Sequence, residues 1–116
     1  MAYPHSTYTT SRTLTYSYIR IPPRLPNTQT ILFLHGFPST SRDWRHQISF
    51  FERKGYGILA PDLLGFGGTS KPRDLELYRG EGMAKDIVEI MIFEDVDVVV
   101  GVAHDWYVLS FILSLS

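Results

Sequence analysis

The chain has no cysteine, which excludes disulfides and thiolate-held metals. It also lacks an excess of either charge: eleven Lys and Arg stand against twelve Asp and Glu, a net charge of -1 at pH 7. That balance gives no field to attract nucleic acid or an anionic membrane. No apolar run approaches the ~20 residues that a bilayer crossing requires. Residues 1–11 are polar, without the basic start and apolar centre of a secretory signal. These absences predict a cytoplasmic protein with no metal or other cofactor, and with neither nucleic acid nor membrane as partner. What remains is 116 residues, 44% of them hydrophobic, the length and composition of one small globular domain.

Residues 1–12 are rich in Ser, Thr and Tyr and read as a flexible N-terminus, leaving 13–116 as the domain. Leu14, Tyr16 and Tyr18 alternate with polar residues, predicting a half-exposed strand. Pro22, Pro23, Pro26 and Asn27 force a turn. Ile31 to Leu34 is an apolar run that stops at His35-Gly36-Phe37-Pro38. Ser39, Thr40 and Ser41 offer N-caps for a helix carrying Trp44, Ile48 and Phe51 at i, i+4 and i+7, with Gly55 as its stop. Tyr56 to Ala60 reads as the next strand, followed by Pro61-Asp62 and a loop with Gly65, Gly67 and Gly68. A second helix starts near Gly80 or Glu81, with Met83, Ile87, Ile90 and Met91 on one face. Strands alternating with helices predict an α/β fold with a mostly parallel sheet and flanking helices.

The chemistry points to V-V-V-G-V-A-H-D-W, residues 98–106. A β-branched apolar run of this length reads as a strand buried on both faces. Asp105 then lies beyond its carboxyl end, where open α/β sheets gather their chemistry. Val108, Phe111, Ile112 and Leu115 follow at helical spacing, so Asp105 occupies the corner of a strand-turn-helix, a nucleophile elbow with aspartate in place of serine. An aspartate at the start of a helix is otherwise a cap. The glycine loop fails as a nucleotide site, since it misses the last glycine of the dinucleotide fingerprint and puts Pro72 where a phosphate loop needs a helix to begin. Asp62 reads as a loop organiser, and His5 and His46 as solvated.

The phrases I-L-F-L-H-G-F-P, D-W-R-H-Q-I, G-Y-G-I-L-A-P-D-L-L-G-F-G-G-T-S-K-P and G-V-A-H-D-W, in this order, resemble the N-terminal half of epoxide hydrolases of the α/β-hydrolase fold. The resemblance runs from about Thr13 to Trp106. It implies that Asp105 opens an epoxide ring as nucleophile, and that the backbone N–H groups of Phe37 and Trp106 form the oxyanion hole. It also implies that Phe37, Pro38, His104 and Trp106 face the substrate, while His35 and Gly36 are structural. The product of the whole reaction would be a vicinal diol.

The family's nucleophile is followed by a lid, an acid and a histidine, whereas Trp106 to Ser116 contains no acid and no histidine. The expectation is therefore a partial α/β-hydrolase fold, lacking lid and C-terminal strands, that alone is inactive or turns over once. Tyr107 stands where the family uses a small residue, an overpacking cost of about 1–3 kcal/mol. The strand before Asp105 would leave an uncharged edge through which the chain could self-associate. Two other readings stay open: a haloalkane dehalogenase of the same fold, and a non-catalytic truncated fragment or binding module.

Overall fold

The computed structural model describes residues 3–25, 28–35, 40–96 and 99–103. In chain order these form β1 (Ser6–Thr9), β2 (Thr15–Ile21), β3 (Thr30–Leu34), α1 (Arg45–Arg53), β4 (Gly57–Pro61), α2 (Gly80–Phe93) and β5 (Val99–Ala103). They build one sheet in the order β1-β2-β4-β3-β5.

Connection length decides strand direction. β1 and β2 are joined by a tight turn in which Thr13 donates its N–H to Thr10 O at 2.9 Å, so they pair antiparallel. β2 and β4 are antiparallel as well. β3 reaches β4 through α1, and β4 reaches β5 through α2; a helical crossover returns the chain in its original direction, and β3 is parallel to both β4 and β5. The sheet is thus mixed but mostly parallel in direction: among the described strands β1, β3, β4 and β5 run one way and β2 runs against them. The reason is local: no helix-forming segment separates β1 from β2. Ser6–Thr9 lies within the stretch read from sequence as flexible, yet its Thr and Tyr residues suit an extended backbone and all four pair with β2.

The two sheet faces sort the apolar residues by the alternation of a strand. Along β3, Ile31 and Phe33 face α1, where Ile48 is buried and Trp44 and Phe51 pack alongside. Leu32 and Leu34 face α2 and meet the cluster holding Met83, Ala84, Ile87 and Ile90. With both faces covered, an unbroken apolar run is what β3 and β4 need, and every residue of both strands is buried. Thr40 caps the short 3-10 turn Ser41–Trp44 that leads into α1, its Oγ1 accepting the Arg42 N–H at 3.2 Å, while α1 itself starts at Arg45 behind Trp44 with no side-chain cap. Beyond the helix, Gly55 adopts φ +91°, a conformation that favours glycine.

β2 is more buried than its alternating pattern predicts. Tyr16, Ser17, Tyr18 and Ile19 are all buried, because β2 lies between β1 and β4 and its phenols find partners below. Tyr16 donates its hydroxyl to Asp86 Oδ2 at 2.7 Å, and Tyr18 donates to Glu94. Asp86 is wholly inaccessible on α2 and receives two guanidinium N–H groups from Arg12, whose Nη2 also donates to Leu77 O at 3.2 Å. Burial, reinforced by the hydrogen bond to Asp86, pushes the Tyr16 phenol above the ordinary tyrosine range. Burial and Glu94 do the same to Tyr18, while the hydrogen bond to Asp86 raises Arg12. These groups fasten α2 to the β1–β2 turn.

Among the described residues β5 pairs only with β3 and forms the edge of the sheet, with Val100 42% exposed. Among the described residues no helix is long and apolar enough to cross a membrane.

Candidate active site

Parallel pairing brings the carboxyl ends of β4, β3 and β5 to one side of the sheet, where ligands of open α/β sheets bind. The register is explicit: Leu34, the last residue of β3, pairs with Ala103, the last residue of β5. The segments beginning at 35 and at 104 therefore leave neighbouring strand ends, whose backbones are about 5 Å apart in a ladder. Of the residues that the sequence assigns to the site, His35 is described. Gly36, Phe37, Pro38, His104, Asp105 and Trp106 lie outside the described residues, as do Tyr107 and the helix expected after it.

His35 is 1% exposed. Its Nε2 accepts the Leu63 N–H at 2.8 Å, and its ring meets Phe66 edge-on at 5.4 Å between centroids. A backbone N–H can only donate, so Nε2 must carry its lone pair and the proton of a neutral ring lies on Nδ1. The lone pair of Nε2 is thereby committed, and that nitrogen is not free to act as a base.

Asp62, next to the carboxyl end of β4, joins three segments. Its Oδ1 accepts from Ser41 N at 2.8 Å and its Oδ2 from Gly68 N at 3.2 Å. Its own N–H donates to Ser17 O at 2.8 Å. Thr69 Oγ1 donates to Asp62 O at 2.6 Å and accepts from Ser17 N at 2.9 Å. The loop after β4 is thus tied to β2 and to the entrance of α1. Asp62 supplies negative charge to backbone donors, an arrangement worth more than a neutral pair.

Gly67 makes this closure possible. It has φ +52°, and a Cβ there would fall within the Asp62 carboxylate. Gly67→Ala is expected to destabilise the fold by about 2 kcal/mol or more, from the left-handed backbone and the displaced carboxylate together. Urea denaturation measures this directly, and a loss below about 0.5 kcal/mol, the ordinary surface range, would mean that the loop is not held through Asp62.

His5 is exposed, as its solvated reading expects, and it also meets two polar groups. Its Nδ1 is 2.9 Å from Ser17 Oγ and 3.9 Å from Asp62 Oδ2. The trio has the composition of a catalytic triad but not its wiring, because a relaying histidine uses one nitrogen for the serine and the other for the carboxylate. Here both contacts run through Nδ1, so the group closes the N-terminal segment over the loop. Among the described residues no group of three or more His, Cys, Asp or Glu side chains could hold a metal ion.

The family model of the alpha/beta hydrolase fold matches residues 29–106. Epoxide hydrolase A of Mycobacterium tuberculosis is 37% identical over 81 residues, covering 70% of this chain and 25% of the relative. Epoxide hydrolase 2 of Siraitia grosvenorii is 42% identical over 76 residues, covering 66% and 24%. The solved structure of an epoxide hydrolase from Vigna radiata superposes with a TM-score of 0.82 at 32% identity, over 95% of this chain and 34% of that one. The chain spans about a quarter of the length of these curated relatives. It belongs to the alpha/beta hydrolase fold family, and over the part it spans it corresponds to the N-terminal portion of epoxide hydrolases.

Proposed function

We propose that this chain carries the nucleophilic half of an epoxide hydrolase site, with Asp105 as nucleophile and an epoxide as substrate. The observation that carries the reading is the pairing of Leu34 with Ala103. It starts His35-Gly36-Phe37-Pro38 and His104-Asp105-Trp106 from adjacent strand ends, as a nucleophile and its oxyanion donors require. The names of the relatives support the substrate class.

A carboxylate has a reference pKa of about 3.9 and needs no general base at neutral pH. One Asp105 oxygen forms a bond to an epoxide carbon as that carbon's bond to the ring oxygen breaks. The released alkoxide takes a proton from solvent, leaving a hydroxyalkyl ester. Phe37, Pro38, His104 and Trp106 line the substrate in this reading, and the N–H groups of Phe37 and Trp106 stabilise the oxyanion when water attacks the ester carbonyl. That second step yields the vicinal diol and regenerates the carboxylate. Its water needs a base, and Trp106 to Ser116 contains neither acid nor histidine. Loss of a positioned base slows such a step by about 10² to 10⁴-fold. In this reading the ester accumulates, because its formation outpaces its hydrolysis.

Incubation of the chain with styrene oxide, followed by intact-mass measurement and peptide mapping, tests this. The expected result is a gain of one epoxide mass on the peptide containing Asp105, with diol not exceeding one equivalent. Absence of an adduct from that peptide, together with no diol, would support the non-catalytic reading. Sustained diol release would overturn the single-turnover limit while leaving the epoxide chemistry intact.

A further inference from the structure

A cleft of about 400 Å³ opens beside the entrance of α1, with Ile19 of β2, itself largely buried, forming part of its wall. β2 is separated from β5 by β4 and β3, so this wall lies about 14 Å across the sheet from the strand leading to Asp105. None of the residues lining the cleft is among those assigned to the strand-end site.

Its wall is divided by chemistry. Tyr3 and Ile19 give an apolar side, while Arg42, Arg45 and His46 give a basic one. Among the described residues the Arg42 and His46 side chains make no hydrogen bond or ion pair, and the Arg45 guanidinium donates only to Arg42 O, at 3.1 Å. Two guanidinium groups thus line the cleft with no carboxylate partner among the described residues. Asp43, the one acidic residue in 41–51, is not on the cleft wall. The first amides of the turn are already taken: Ser41 N by Asp62, Arg42 N by Thr40 Oγ1 and Asp43 N by Thr40 O. An anion here is recognised by side chains rather than by the helix terminus.

We propose that this cleft binds the phosphate of a small phosphate monoester whose organic part is apolar. Guanidinium forks match phosphate oxygens in pairs, and the Tyr3–Ile19 side provides an apolar seat for the rest of the molecule. A phosphate alone uses only half of the wall.

Calorimetric titration of the full chain with phenyl phosphate and with inorganic phosphate tests the proposal independently of epoxide chemistry. Phenyl phosphate is expected to bind saturably, at least 10-fold more tightly than inorganic phosphate, and to weaken as salt rises. The R42A/R45A double variant, altered at two exposed positions, should lose at least 10-fold. R42K/R45K, which keeps the charge but not the fork, should lose an intermediate factor. K85A, which removes an exposed cation on α2, should bind like the parent. Circular dichroism confirms that each variant is folded. No saturable binding, an equal loss in K85A, or a double variant that binds unchanged would overturn the site. Equal affinity for the two probes would overturn the apolar seat.

Discussion

Asp86→Ala is expected to destabilise the fold by about 3 to 5 kcal/mol, the range for removing one member of a buried ion pair. Total stabilities of such domains are roughly 5–15 kcal/mol, so this loss would leave much of the population unfolded under mild denaturant. The effect is large because Asp86 accepts from three donor atoms of two residues at once. Without it the Arg12 guanidinium keeps its charge near the interior with only Leu77 O as partner, and the fully buried Tyr16 hydroxyl loses its acceptor. Asparagine does not repair this, since its amide would turn N–H donors toward the Arg12 donors. Replacing the whole group, as in R12M/Y16F/D86L, should recover most of the loss, because a packed apolar cluster carries no desolvation cost and leaves no buried hydroxyl without an acceptor. Urea melts of the three variants check the ordering. A loss below about 1 kcal/mol in Asp86→Ala would mean that Met83, Ile87 and Ile90 hold α2 without help.

Asp105→Asn is expected to reduce the rate of epoxide adduct formation on the order of 10³-fold or more. A neutral carboxamide is a poor nucleophile. Fold stability should change little by comparison, which separates this variant from Asp86→Ala. The comparison that isolates chemistry is Asp43→Asn, an exposed carboxylate outside the strand-end site, which should be alkylated at the parent rate. If Asp105→Asn reacts as fast as the parent chain, the adduct forms elsewhere and the nucleophile assignment fails.

The strands of the interior were legible because burial on both faces demands unbroken apolar sequence: Ile31 to Leu34 and the run after Gly57 could be little else. The stop of α1 was legible because Gly55 performs a local task that few residues perform, whereas Thr40 caps the 3-10 turn before the helix and α1 starts four residues later than that cap suggests. Long-range pairings were not. Nothing in the period of Tyr16 and Tyr18 foretells that Asp86 and Glu94 will meet them some seventy residues away. One signal was available: Asp86 falls three residues after Met83 and four before Ile90, so helical spacing alone puts it on the buried face. A charge there requires a partner. His5 gave no comparable signal, because its contacts with Ser17 and Asp62 depend on how β1 folds back. Of the proposed site, sequence spacing singles out the two segments, and the register of β3 with β5 shows that the strands leading to them end side by side.

That same register has a consequence for biosynthesis. β3 acquires its neighbour on one side from β4, which is made soon after it, but its other side waits for β5, about seventy residues further along the chain. At a translation rate of about 5–20 residues per second, the backbone of Thr30–Leu34 stays open on that side for roughly 4 to 14 seconds. During that interval the nascent polypeptide presents an apolar strand with free N–H and C=O groups, a template for a neighbouring nascent chain or a substrate for a chaperone.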